Sequence, residues 1–303
     1  MHAVIDLGTN TFNLLIGDKQ NNEKQILESL EEPVMLGKGG IQENKITAEA
    51  FERAFRVLDR FKTKMNMYPI QQTKAFATSA IRNATNGKDF IHEVFQRFQI
   101  QIEAISGELE ASYIYEGVKH SFDFEQKTYL IMDIGGGSVE FIIGNQEKCF
   151  WKHSFEIGAI RLHEKFKKND PIQSDEITEI KSYLKQQTKA LFEHLKKYEI
   201  EGIIGSAGSF ESMWQIIEGD FSSVCCPLSK QAKEPTEKDI NFFLNHIIQS
   251  DLEERKHLKN LVEFRREYIV VACILIEFIR EESKLKRLIC SDYALKEGVF
   301  FHS

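Results

Sequence analysis

Two short loops, each led by an aspartate at the end of an apolar run, constrain this chain more than anything else in it. The first is Asp6-Leu7-Gly8-Thr9-Asn10-Thr11 and the second is Asp133-Ile134-Gly135-Gly136-Gly137-Ser138. Glycine lets a backbone approach an anion closely, and exposed peptide N–H groups with nearby hydroxyls can hydrogen-bond phosphate oxygens. An aspartate at a strand end is placed to hold a metal ion or its water shell. The first loop alone reads equally as a plain hairpin turn. Three glycines in a row carry an entropic cost that a simple turn does not need, so the second loop is the stronger signal. Gly8, Thr9, Asn10, Thr11, Gly135, Gly136, Gly137 and Ser138 are therefore candidate phosphate-binding residues. Asp6 and Asp133 are candidate metal-shell carboxylates.

The surroundings of the loops repeat too. Alternating apolar residues predict strands at 3–7, 12–17 and 24–30, with Asn21-Asn22 as a hairpin turn. The theme returns as strands at 128–133, 140–143 and 148–155, with a turn at Gly144-Asn145. Between them, helices are expected at 47–67, 89–98 and 108–119, strands at 74–77 and 100–104, and a loop at 78–82. Thr47 is the expected N-cap of the first helix, with Phe51, Ala54, Phe55, Leu58 and Phe61 on one face. The second half reads as a helix at 175–198 capped by Ser174, a strand at 202–205, helices at 237–248 and 262–281, a strand at 286–290 and a closing helix at 292–301. A duplicated mixed-sheet unit with helical crossovers implies an α/β fold of two similar domains facing each other. The polar stretch 121–127 places the junction, giving domains 1–124 and 125–303, with the last helix expected to pack back on the first domain.

Bulk properties exclude several classes. With 303 residues, 42% hydrophobic and 28% charged, the chain has an ordinary globular composition and length for two cores. Its most apolar run, 268–276, is fenced by Arg265, Arg266 and Glu267 before and Glu277, Arg280, Glu281 and Glu282 after. It falls short of the ~20 residues that span a bilayer, so a buried helix is expected and no membrane partner. A net charge of −7 argues against nucleic-acid binding, although locally gathered basic residues could still grip a polyanion. Cys149, Cys225, Cys226, Cys273 and Cys290 are odd in number and lack a CxxC spacing, which fits reduced thiols and a cytoplasmic location. No signal-like start precedes the first strand, and the histidines show no zinc spacing.

The motifs together resemble the exopolyphosphatase / guanosine pentaphosphate phosphatase family, a branch of the actin-like ATPase superfamily. The resemblance runs nearly end to end: IDLGTNTFNLLI, ATSAIRNA (77–84), ISGELEA (105–111), IMDIGGGSVEFIIG (131–144), FEIGAIRL (155–162), GSAGSFESM (205–213) and SDYALKEGV (291–299). It implies two ribonuclease-H-like domains with the active site in the cleft. It also implies that Glu110 orients and deprotonates the attacking water, and that Glu140 supports the water or the metal. On the residues alone, Glu110 would read as a solvated acid at a helix start. Arg82, which by itself could be a solvated surface residue, becomes the cation that grips phosphate oxygens, with Arg266 a similar candidate. Gly205, Ser206, Gly208 and Ser209 sit where nucleotide-binding relatives place an adenosine loop, although a tight strand-to-helix turn accounts for them equally. The chain departs from the family at Leu109, where a second Glu is usual, and at Tyr268, where an Asp is usual.

The expected activity is Mg²⁺-assisted hydrolysis of the terminal phosphoanhydride of inorganic polyphosphate. Removal of the terminal phosphate of guanosine pentaphosphate is the alternative within the class, and polyphosphate/ADP phosphotransfer the alternative outside it. Longer relatives add C-terminal helical domains, so a preference for shorter polyphosphates is expected here. A homodimer is the expected assembly. Lys181, Lys185 and Lys189 recur every four residues, with Lys196 and Lys197 beyond. They read as a solvated face, with a polyanion track as the sharper alternative.

Overall fold

The computed structural model describes every residue except Asn21, Asn22, Val224 and Ser303. The expected Asn21-Asn22 turn therefore lies outside the described residues. The chain divides into two compact units, Met1–Gly117 with Leu295–Ser303, and Val118–Ala294.

In the first unit, β1 (His2–Leu7), β2 (Thr11–Gln20), β3 (Glu23–Pro33), β4 (Gln72–Ala77) and β5 (Ile102–Ala104) form one sheet in the order β3-β2-β1-β4-β5. β1 runs antiparallel to β2 and parallel to β4. The helix α1 (Ala48–Met65) starts where Thr47 accepts the Ala50 N–H, as expected, and buries Ala54, Phe55, Leu58 and Phe61. Its core is shared with Ile5, Leu7, Leu14 and Ile16 of the sheet. Each such side chain contributes about 1.5–3 kcal/mol on burial. The expected loop at 78–82 is instead a short helix, α2 (Ser79–Asn83), which leads to α3 (Gly87–Phe98) and, after β5, to α4 (Gly107–Lys119).

The second unit repeats the scheme on a larger scale. β6 (Tyr129–Ile134), β7 (Val139–Gly144) and β8 (Cys149–Phe155) form an antiparallel meander, followed by α5 (Ala159–Phe166), α6 (Ser174–Gln187), α7 (Lys189–Leu195) and β9 (Ile203–Ser206). β9 lies parallel to β6, as β4 does to β1. Next come α8 (Gly208–Gly219), β10 (Cys226–Pro227), β11 (Ala232–Glu234), α9 (Glu237–Gln249), α10 (Leu252–His257), α11 (Ile269–Ser283) and β12 (Leu288–Ser291). The sheet order is β10-β11-β12-β9-β6-β7-β8. Every residue of β6 and β7 is buried, which explains why both strands are apolar apart from Asp133 and Glu140. The apolar run at 268–276 falls almost wholly within α11, nearly all of it buried.

The domain boundary and two of the expected helices need correction, while the last helix joins the first unit as expected. The division falls after Gly117, within the last turn of α4, because the polar-looking 121–127 stretch is anchored to the second unit. Phe124 is fully buried against Tyr129 at 5.4 Å between ring centroids, and Ser229 donates to the Ser121 carbonyl. The last helix, α12 (Leu295–His302), belongs to the first unit, where Phe300 fills the space a side chain at Gly17 would need. The long helix at 175–198 breaks at Thr188, whose buried hydroxyl donates to the Leu184 carbonyl at 2.7 Å. Its cap is Gln173 rather than Ser174, in a capping box with Glu176. The helix expected at 262–281 is a short 3-10 turn, Glu263–Arg265, followed by α11.

Candidate active site

Both loops are the same four-residue turn. Gly8 donates its N–H to the Thr11 carbonyl at 3.0 Å, and Gly135 donates to the Ser138 carbonyl at 3.1 Å. In each, the intervening carbonyls are engaged by a later segment. Asn10 O accepts the N–H groups of Val34 and Met35, and Thr9 O accepts that of Gly37. Gly135 O accepts the N–H of Ala159, Gly136 O those of Ile160 and Arg161, and Gly137 O that of Gly158. Arg161 Nε also donates to Gly137 O at 3.1 Å. A trans peptide points its N–H opposite to its C=O. The N–H groups of Asn10 and Thr11 in the first loop, and of Gly136, Gly137 and Ser138 in the second, therefore face away from those segments. Successive N–H groups turned to one side make a concavity suited to an anion.

The 155–162 motif, whose role the sequence does not show, holds the second loop. A Cβ on Gly158 would sit 2.4 Å from the carbonyl carbons of both Gly136 and Gly137, so only glycine fits. The orphan N–H groups at the start of α5 are satisfied by the loop's carbonyls.

Of the expected hydroxyl residues, Thr9 and Ser138 are buried and Thr11 is partly exposed. Asp6, at the end of β1, faces Asn13 across the strand pair, and Asn13 Nδ2 donates to its Oδ2 at 3.1 Å. Asp133, at the equivalent place in β6, faces Glu140. Asp133 Oδ2 accepts the Ser206 hydroxyl at 2.5 Å, and Glu140 Oε1 accepts that of Ser154 at 2.6 Å. Lys296 was missed by sequence reasoning. It lies at the start of α12, is only 17% exposed, and reaches Glu297 at 3.1 Å. Burial pulls its ammonium down, but the charges of Glu297, Asp6 and Glu31 more than offset this and hold it above its usual range.

The other expected pair comes together in the first unit. Arg82 Nη1 donates to Glu110 Oε2 at 2.7 Å and to the Ile105 carbonyl at 3.1 Å. Both side chains are largely buried, so Arg82 is set to orient the carboxylate of Glu110. Arg266 follows the 3-10 turn; its carbonyl accepts from Arg255 Nε at 2.8 Å, while its own Nε is buried without a hydrogen bond among the described residues. Part of the lysine track is ion-paired. Lys181 reaches Glu277 and Glu281, both at 2.8 Å, and Lys185 reaches Glu282 at 3.4 Å.

Within the second unit Asp133 and Glu140 lie opposite each other as paired carboxylates, and within the first Asp6 offers a carboxylate while Asn10 Oδ1 is buried with no hydrogen bond among the described residues. Magnesium takes oxygen donors, few of them carboxylates, with the balance from water and substrate phosphate. Among the described residues no group of three or more His, Cys, Asp and Glu side chains is arranged to hold a metal.

The model of the Ppx/GppA phosphatase family matches residues 15–303. The chain belongs to that family. Family members are hydrolases, so the chain is an enzyme of that class. A crystal structure of an exopolyphosphatase from Cytophaga hutchinsonii superposes with a TM-score of 0.95 at 33% identity, covering 99% of this chain and 96% of that one. The PPX-GPPA enzyme of Aquifex aeolicus superposes with a TM-score of 0.80 at 25% identity, covering 100% of this chain and 99% of that one. The bifunctional 3-dehydroquinate synthase/phosphatase of Fusobacterium nucleatum is 31% identical over 92% of this chain. This Ppx/GppA chain spans 43% of the length of that bifunctional protein. Two actin-like ATPase-type α/β domains are thus the family fold. Among the described residues no helix is long and apolar enough to cross a membrane.

Proposed function

We propose that this chain is an exopolyphosphatase, hydrolysing the terminal phosphoanhydride of inorganic polyphosphate and releasing phosphate. The observation that carries this reading is the pair of turns whose carbonyls are tied back, so that runs of N–H groups are offered to anions. The likeness to the Cytophaga exopolyphosphatase supports it.

The roles follow from the chemistry of the step. Water is a poor nucleophile and must be aligned with the leaving oxygen and relieved of a proton. Glu110 takes that proton, and Arg82 fixes the orientation of its carboxylate through the 2.7 Å bond. The N–H groups at 10–11 and 136–138 bind phosphate oxygens and need no reorganisation as charge develops there. Asp6, Asp133 and Glu140 are the carboxylates that would hold Mg²⁺ or its water shell. When bound, Mg²⁺ would supply charge neutralisation at the phosphate oxygens. Guanosine pentaphosphate presents the same scissile bond and is the alternative substrate.

The test is phosphate release from polyphosphates of defined length and from guanosine pentaphosphate, with and without Mg²⁺. Polyphosphate is expected to be the better substrate and Mg²⁺ to be required. Glu110→Ala is expected to lower release by at least about 10²–10⁴-fold, the usual worth of a general base, while polyphosphate binding survives. Full activity in Glu110→Ala would remove Glu110 from the role of base.

A further inference from the structure

The segment that supports the first turn is itself held from behind. Arg53, on α1, donates from Nε to the Val34 carbonyl at 2.7 Å and from Nη2 to the Met35 carbonyl at 2.8 Å. The same two residues give their N–H groups to Asn10 O, Val34 at 2.9 Å and Met35 at 2.7 Å. Residues 34 and 35 thus lie between a cation that takes both of their carbonyls and a turn carbonyl that takes both of their N–H groups. Successive carbonyls converge on one guanidinium only where the chain leaves the extended conformation, and Met35 does so at φ 48°. That left-handed conformation is uncommon for a residue other than glycine and persists where the surroundings hold it.

The bonds run in series. The Val34 carbonyl and the Met35 N–H belong to one peptide, and the Asn10 carbonyl and the Thr11 N–H to another. The guanidinium bonds the oxygen of the first peptide, whose N–H bonds the oxygen of the second at 2.7 Å. The N–H of the second, that of Thr11, is one of those turned away from the support. A hydrogen bond accepted at C=O polarises a peptide and makes its N–H a stronger donor. A charged donor at the head of the chain does so more than a neutral one. Glu49, one turn earlier on α1, feels the charge of Arg53 but is exposed, where water screens it. The second turn has a shorter version of the arrangement. Arg161 Nε bonds Gly137 O, and that peptide ends in the Ser138 N–H.

We propose that Arg53 is a positioning residue of the first phosphate turn: it fixes the direction of the Thr11 N–H and passes positive polarisation to it through two peptides. The inference rests on the reading of the N–H groups at 10–11 as phosphate donors.

The test titrates inorganic phosphate, the product of the proposed reaction, and follows the Asn10 and Thr11 amides by NMR. Arg53→Gln keeps a donor without the charge, and Arg53→Lys keeps the charge with a single donor group. Urea unfolding of both gives the purely structural cost. In Arg53→Gln the Kd for phosphate is expected to rise about tenfold, the low end of what losing an outer hydrogen-bonding partner costs a metal site. In Arg53→Lys it is expected to rise by a distinctly smaller factor, even where the two variants are equally destabilised. An anchor that acts by stability alone would weaken phosphate binding in step with the urea midpoint, and that result overturns the proposal. An unchanged Kd in Arg53→Gln also overturns it. If Arg53→Gln does not fold, Arg53→Lys decides, and there an unchanged Kd overturns the proposal. A parent enzyme whose Asn10 and Thr11 amides ignore phosphate would remove the reading of the turn and the proposal with it. Amides that respond in an enzyme inactive on polyphosphate would remove the substrate reading alone.

Discussion

The two phosphate turns share a backbone and differ in what surrounds it. The closing hydrogen bond is 3.0 Å in the first and 3.1 Å in the second. Around the first turn, Asp6 faces the neutral amide of Asn13, has Phe76 beside it on the parallel strand, and lies within the field of the buried ammonium of Lys296. Around the second, Asp133 faces a second carboxylate, Glu140, and has the hydroxyl of Ser206 beside it on the parallel strand. The supports differ as well. Residues 34–37 hold the first turn, and the N-terminus of α5 holds the second. Duplication has kept the device that points N–H groups at an anion, while the side-chain chemistry has diverged. The first turn is charge-balanced, which fits the phosphate binding we propose for it, and the second concentrates acids, which fits the proposed metal and water.

The largest expected effect breaks the supports unequally. In Gly158→Ala the new Cβ meets two backbone carbons of the second turn at 2.4 Å, and neither can move without dragging the turn. We expect a loss of several kcal/mol of stability, beyond the usual ~1–3 kcal/mol of overpacking, and phosphate release down by at least about hundredfold. In Gly37→Ala the new Cβ meets the Thr9 Cγ2 methyl at 2.7 Å and Ile41 Cδ1 at 3.2 Å, both side-chain atoms that can rotate. Its cost is expected near ~1 kcal/mol. Urea unfolding with phosphate-release assays reads both. Equal losses would mean that the two supports are equivalent after all.

Much of this contrast was legible in the sequence, and the illegible part has physical reasons. Both Asp-led turns, the meanders around them and the buried helix at 269–276 follow from apolar periodicity and glycine placement, which act locally. The pairing of Arg82 with Glu110 was not legible, because it depends on α2 forming where a loop was expected and on a contact across 28 residues. Gly158 and Lys296 were missed for the same reason. A glycine reads as a turn until its neighbours are known. The lysine stripe is legible only in part, since its period of four is visible while the glutamates of α11 that pair with Lys181 and Lys185 are about 100 residues away.

A smaller effect sharpens the side-chain comparison. Ser206→Ala removes a buried hydroxyl bonded at 2.5 Å to Asp133, leaving a buried carboxylate oxygen short of a donor. The expected cost is about 1–3 kcal/mol, with phosphate release falling by roughly tenfold or more. Asn13→Ala removes a longer, 3.1 Å bond to Asp6 at a partly buried place, and about 0.5–1.5 kcal/mol is expected. Ser206→Thr keeps the hydroxyl and is expected to retain most of the activity. A larger loss from Asn13→Ala than from Ser206→Ala, in the same assays, would show that the first turn carries more of the chemistry than its surroundings suggest.

The smallest effect uses acid to separate the supports. The first turn is held by Val34, Met35, Leu36 and Gly37, none of which titrates. The second is held by α5, which carries His163, its ring edge-on to Tyr268 at 5.0 Å between centroids. Burial, with help from the charge of Lys167, pushes the His163 imidazole down to about 4. Beyond α5, Asp170 is pushed up by burial but held at about 2 by its bonds to Arg255, Lys167 and the Leu252 N–H. An unfolded histidine takes up its proton near pH 6.5, whereas the folded one stays neutral until about 4. Between those values the unfolded state binds more protons, so stability is full above pH 6.5 and falls as the pH drops towards 4, by on the order of 2–3 kcal/mol. The Asp170 contribution is lost later, as the pH falls from about 4 towards 2. Protection factors at 158–166, corrected for the slowing of intrinsic amide exchange in acid, are therefore expected to fall between pH 6.5 and 4.5, ahead of those at 34–37. His163→Leu is expected to flatten that dependence. If both supports loosen together in the parent chain, or if the leucine variant keeps the same pH profile, then the titrating group that distinguishes the second turn is not His163.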